Sequence, residues 1–226
     1  MAPYKLIGDD ALSVESAMTL VTPASILAST LSASTSISSA ALYSSNATST
    51  NVVATTLSAG VIQLQNQDGL GSNSPGASST AASTTTVANA AALKINGTGY
   101  VIPEPILITG TGINATGVIR NPSGSNTLSS LITVSADARI NIDAGTISLT
   151  NSTESLKLTG ALYFGGALGN LTLTGPISGA GSFIKDGGAN TILTLSGNST
   201  GYTGNISIGT ATTTAAGVLK INTNSN

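Results

Sequence analysis

An all-β chain, a right-handed parallel β-helix with an irregular N-terminal segment, is the fold that three features of this sequence predict. Short runs place apolar residues at every second position, the period of a half-buried strand. From Val118 to Leu158 these runs return at short intervals, with Gly, Asn, Asp, Ser or Pro between them. The side chains are small: 32 Ser, 33 Thr and 26 Gly, with only 3% aromatic residues, among 226 positions.

In chain order the predicted strands are Val61–Leu64, Ala92–Ile95, Ile106–Ile108, Val118–Arg120, Leu131–Val134, Ala138–Ile142, Thr146–Leu149 and Leu156–Leu158. Leu171–Leu173, Ile192–Leu195, Ile206–Ile208 and Val218–Ile221 follow. Ile, Leu and Val dominate them, as a pleated, half-buried surface favours. The expected inward residues are Ile140, Ile142, Leu156, Leu158, Leu171, Leu173, Leu193, Leu195, Ile206 and Ile208. No window after residue 60 has a helical period, so helices are expected to be nearly absent there. The strands are short and lack the aromatic anchors of an immunoglobulin-like sandwich. Stacked coils suit them better, because equivalent small and aliphatic side chains then pile up from coil to coil. Few charges fit the same picture, since like charges about 4.8 Å apart in a stack repel.

Two segments are expected, 1–59 and 60–226, the second being the repeat domain. Residues 1–59 are rich in Ser, Thr and Ala, with scattered apolar residues such as Leu12, Val14, Ile26 and Leu31. They are expected to form a cap, irregular first coils or an assembly arm, with a turn or two of helix over Ser25–Leu31. Gly71–Thr86 is low-complexity and reads as a long loop within a coil.

Composition excludes several chemistries. With no His and no Cys, there can be no Cys/His zinc site, thiol nucleophile, Ser-His-Asp triad or disulfide scaffold. Seven Lys+Arg against nine Asp+Glu give a net charge of −2 and no basic patch, so nucleic acid is not an expected partner. No apolar run is long enough for a membrane-spanning helix. Residues 17–31 have some of the character of a signal-peptide core, interrupted by Pro23, whereas the extreme start carries Asp9 and Asp10. Either a leader has been removed or the chain is a segment of something longer.

The C-terminal half carries a family resemblance. Gly181-Ser-Phe-Ile-Lys185-Asp-Gly187, Leu193-Thr-Leu195-Ser-Gly197-Asn198, Tyr202-Thr-Gly204 and Gly217-Val-Leu219-Lys-Ile221 resemble an autotransporter passenger-associated repeat. Ala59–Leu64 and Ala91–Ile95 are similar to the strands that accompany such a repeat, so the resemblance covers roughly residues 59–221. Phe183 stands where Leu is usual, the turn after Lys185 is longer, extra residues separate Asn198 from Tyr202, and no translocator barrel follows. The resemblance implies a bacterial surface β-helix, exported, with little said of activity: such passengers include adhesins, enzymes and structural stalks.

The acids are the only candidate acid–base groups. Asp137 and Asp143 flank the strand Ala138–Ile142 and, with Arg139, could make the cluster a polysaccharide lyase or hydrolase requires. Asp68, Glu154 and Asp186 sit in turns. The competing reading is turn capping, in which Asp bonds its own nearby backbone. A calcium array of the nonapeptide kind is not written in the sequence. Gly110-Thr-Gly112 and Gly179-Ala-Gly181 lack the Lys of a phosphate loop and read as coil corners. Asn46, Asn96, Asn114, Asn151, Asn170, Asn198 and Asn205 each open an Asn-x-Ser/Thr sequon and are glycosylation candidates or plain turn residues. Thr-x-Thr pairs at Thr109/Thr111, Thr172/Thr174 and Thr212/Thr214 fall at unlike points of the expected coil, against a regular ice-ordering array.

The expected function is therefore a non-catalytic extracellular or cell-surface module, a stalk, adhesin or filament subunit, with no catalytic, metal or cofactor residues. Its expected partners are further copies joined head to tail, a longer parent chain, or glycans and cell surfaces. The alternative is a carbohydrate-active β-helix enzyme, a polysaccharide lyase or hydrolase.

Overall fold

The computed structural model describes residues 56–67, 69–70, 84–209 and 217–222. These form a β-solenoid of about five turns in which every strand pairing is parallel. The strands are β1 (Thr56–Leu64), β2 (Thr85–Asn96), β3 (Val101–Ile102), β4 (Ile106–Gly110), β5 (Ile119–Ser123), β6 (Ser125–Leu128), β7 (Ile132–Ile142) and β8 (Thr146–Leu149). They continue as β9 (Leu156–Leu158), β10 (Leu162–Gly165), β11 (Asn170–Leu173), β12 (Ile177–Gly179), β13 (Phe183–Lys185), β14 (Ile192–Leu195), β15 (Ile206–Ile208) and β16 (Val218–Ile221). A single 3-10 turn, Ile113–Ala115, is the one helical element among the described residues.

The strands make two sheets. The smaller runs β16-β14-β11-β8-β6-β3, one strand per coil. The larger has two ribbons, joined where β7 turns a corner at the exposed Ser135–Asp137. The first half of β7 pairs with β4 and β9, the second with β5 and β10.

Register pairing stacks like on like. Ile106 pairs with Ile132, Ile132 with Leu156 and Leu156 with Ile177, steps of 26, 24 and 21 residues. Ile102, Leu128, Leu149, Leu173, Leu195 and Ile221 make a second column through the smaller sheet. A third runs Leu93, Ile119, Ile140, Phe164, Lys185, Ile208. The interior is the sum of such columns, and most of its Ile, Leu and Val side chains are fully buried. Unequal steps are absorbed at the corners, where Gly takes positive φ. At Gly145 (φ 79) a Cβ would lie 1.9 Å from the Gly124 carbonyl oxygen, so any side chain there collides with the coil beneath.

One corner is polar. Asn121 and Asn126 are buried: Asn126 Nδ2 donates to Gly97 O and to Asn121 Oδ1, and its Oδ1 accepts from Tyr100 N at 3.0 Å. Asn121 Nδ2 donates to Gly124 O and Ala144 O. Amides carry both donors and acceptors, so they join backbone groups of successive coils where an aliphatic chain would leave them unpaired.

Several expectations need correction. Leu131–Val134 and Ala138–Ile142 are one continuous strand, because the corner between them keeps extended backbone. Thr85 and Thr86, expected in a loop, begin β2. Strands β3, β6, β10, β12 and β13 were not expected: β3 has two residues, β6 and β13 carry Asn126 and Lys185 at inward positions, and β12 ends on Gly179 where neighbouring coils have Leu or Val. In β10, Leu162 and Phe164 alternate inward, but two glycines close the run. Leu195 is only half-buried, and Ile206 and Ile208 are exposed although they continue inward columns, since among the described residues no strand pairs with β15 on the side away from β13. β1 starts at Thr56, four residues before the expected start of the repeat domain. The irregular segment up to residue 55 and the turn Ser25–Leu31 lie outside the described residues.

Candidate functional site

The outer surface of the ribbon β5-β7-β10-β13 carries two ion pairs. Alternation on β7 turns Arg139 and Asn141 outward between buried Ala138, Ile140 and Ile142. Arg139 Nη1 pairs with Asp186 Oδ2 at 2.8 Å, and its Nε donates to Asn141 Oδ1 at 2.9 Å. This reach is open because Gly165 lies between them: a Cβ there would sit 2.2 Å from Arg139 Nη2 and 2.8 Å from Asp186 Oδ1. Arg120 Nε pairs with Asp143 Oδ2 at 2.6 Å.

The expected acid cluster does not form. Asp137 Oδ1 accepts from Ala161 N at 2.9 Å and so ties one coil's corner to the next. Asp143 faces Arg120, and Arg139 faces Asp186. Each of these acids is thus held by its own partner, Asp137 by a backbone N–H of the next coil rather than by its own turn. Glu154 accepts from Ser178 Oγ, a link to the next coil. Asp68 lies outside the described residues. Among the described residues no three acids come together in a set that could hold a metal ion. Of the glycine pairs, Gly110, Gly112 and Gly179 have positive φ at coil corners, and Gly181 lies against Gly160 O, where a Cβ would come to 2.1 Å.

The sequons divide in two. Asn96, Asn114, Asn198 and Asn205 are exposed. Asn151 and Asn170 are half-buried with their amides engaged: Asn151 Oδ1 accepts from Thr153 N, and Asn170 Oδ1 from Ile192 N, both at 3.0 Å. Asn46 lies outside the described residues.

Two features were missed in the residues. Lys185 is fully buried inside the solenoid, stacked between Phe164 and Ile208. Its Nζ donates to Thr191 Oγ1 and sits 5.6 Å from the Phe164 ring centroid. Burial lowers its pKa below the ordinary lysine value, against an upward pull from Asp186. The signal was present, since Lys185 falls at inward parity after Phe183. The second feature is the last described coil, where Ile206 (37%) and Ile208 (48%) are exposed while their column neighbours Phe183 and Lys185 are buried, and where Val218 (45%) and Ile221 (65%) are exposed beside the half-buried Ile192 and Leu195.

No helix among the described residues is long and apolar enough to cross a membrane. No protein-family model, curated protein or solved structure matches the chain.

Proposed function

We propose that this chain is a non-catalytic structural module of the cell exterior, of the autotransporter passenger kind, whose last coil receives the coil of another copy. The reading rests on one observation: β15 and β16 hold the stack's register yet leave Ile206, Ile208, Val218 and Ile221 uncovered. Parallel strands at such an edge offer unpaired N–H and C=O groups beside an apolar surface. Strands added there gain main-chain hydrogen bonds and cover Ile206, Ile208 and Ile221, which continue inward columns of the two sheets. Head-to-tail contacts of this type propagate unless they close into a ring. The engaged state of Asp137, Arg139, Asp143 and Glu154 supports a structural rather than a hydrolytic role for the polar groups. The resembling motifs and the low charge support an exported location.

The added coil is assigned to the N-terminal segment of the next copy. Because Leu57 is part of β1 and buried, the deletion that tests this ends at residue 55. In sedimentation velocity the full chain is expected to form concentration-dependent assemblies, and the chain lacking residues 1–55 to run as a monomer. A full chain that stays monomeric at high concentration overturns the proposal.

A further inference from the structure

The smaller sheet presents an outer surface unlike the rest of the molecule. Thr127, Ser148, Thr172 and Thr194 occupy equivalent outward positions in four successive coils, each paired in register with the next. Two residues further along each coil, Ser129, Thr150, Thr174 and Ser196 form a second column; their backbone N–H groups donate to Ile102 O, Leu128 O, Leu149 O and Leu173 O of the coil before. Eight hydroxyl residues therefore make a two-column array, Thr-x-Ser, Ser-x-Thr, Thr-x-Thr, Thr-x-Ser. The Thr172/Thr174 pair, expected at an isolated point of the coil, is one row of it. The array is hidden in the sequence because Ser replaces Thr at three of its eight positions and because β6 was not recognisable as a strand.

Three further observations bear on what this surface binds. None of the hydroxyls of Thr127, Ser148, Thr172 and Thr194 has a hydrogen-bond partner among the described residues. Three in the second column are engaged: Ser129 Oγ donates to Ile102 O, Thr174 Oγ1 donates to Leu149 O, and Ser196 Oγ accepts from Asn222 Nδ2. Charge is segregated away: Lys94, Arg120, Arg139 and Asp186 belong to the other sheet, and among the described residues Lys220, in the last coil, is the one charge on this surface. The pairing is also regular. No register shift interrupts the smaller sheet, whereas the larger has shifts at β1/β2, β2/β5 and β4/β7.

We propose that this face is an ice-binding surface. Parallel strands repeat about every 4.8 Å across the sheet, and alternate residues about every 6.6 Å along it. The first distance is close to a repeat of the water oxygens on the prism faces of ice. A hydroxyl without a protein partner must bond water, and a regular array fixes those waters in a regular layer. The threonine methyls between the hydroxyls favour an ordered shell over them. A charge would orient water around itself and break the pattern, which is why its absence from the four rows of the array matters. Each contact is weak, but a rigid face makes all of them together. The inference needs only the fold and is independent of end-to-end assembly.

The test is thermal hysteresis and ice-crystal shaping by the full chain. Thr172→Tyr, in the array, is expected to abolish both. Thr133→Tyr, outward on the other sheet, is expected to leave both intact. Ser148→Thr is expected to increase hysteresis, and because it perturbs little it reports even if Thr172→Tyr disturbs folding by circular dichroism. An unmodified chain that neither shapes ice nor shows hysteresis overturns the proposal, as does equal loss in Thr172→Tyr and Thr133→Tyr. If Thr172→Tyr changes only the sedimentation coefficient, the face is a contact between copies and the proposal fails.

Discussion

Lys185 is the place where the interior of this solenoid is most sharply testable. Replacing it with Met keeps the length of the side chain and removes the charge. Against the change stand the hydrogen bond to Thr191 Oγ1, about 1.5–3 kcal/mol for a charged donor, and the contact over the Phe164 ring, about 2 kcal/mol when desolvated. In its favour stands the cost of burying an ammonium, several kcal/mol. Thr191 Oγ1 still donates to Gly188 O, so no donor is orphaned. The terms nearly cancel, and Lys185→Met is expected to lie within about 2 kcal/mol of the native chain. Lys185→Ala instead opens a hole between Phe164 and Ile208 and is expected to cost about 2–5 kcal/mol.

The pH dependence has a definite sign. The folded-state pKa of Lys185 is below the ordinary 10.5. Between the two values the unfolded chain holds more protons than the folded one, so stability increases as pH rises through that window and is lowest below it. Tyr202, raised above 10.0 by burial, acts the opposite way only above that value. Urea unfolding from neutral pH to just under 10.0 therefore reads Lys185 without Tyr202. The native chain should gain stability across the range and Lys185→Met should gain less. A Met variant less stable than the Ala variant, or an unchanged pH slope, would refute the reasoning.

Leu173→Ala, in the centre of a buried column, should cost about 2–5 kcal/mol in the same assay. Asn126→Leu removes the acceptor of Tyr100 N and the donor to Gly97 O, and unfolding should show a loss of about 1–3 kcal/mol for each buried group left unpaired. Asp143→Asn should change stability by less than about 1 kcal/mol, since both partners of its ion pair are partly exposed. Asp137→Asn and Asp143→Asn should leave biological behaviour intact, and loss of a polysaccharide-cleaving activity in either would restore the enzymatic reading.

Strand parity was legible wherever aliphatic residues alternate, as in Thr146–Leu149 and Leu171–Leu173, because burying one face of a strand fixes its side-chain period. It failed where a polar group faces inward. Asn126 and Lys185 break the alternation, and only the coil above and below shows that each is satisfied there. The exposure of Ile206 and Ile208 was equally unreadable, since their local pattern matches that of buried strands and the difference is that, among the described residues, only β13 pairs with their strand. The apparent cluster of Asp137, Arg139 and Asp143 came from proximity along one strand. Stacking gave each a partner on another coil, 23 to 47 residues away.

Electron microscopy of the full chain beside an Ile208→Lys, Ile221→Lys double variant tests the end-to-end account most directly. Both residues are exposed on the last coil, so the changes should spare the fold while placing two charges on the proposed contact. Filaments or rings from the native chain and single particles from the variant are the predicted result. Single particles from both, or assemblies of equal length from both, would contradict it.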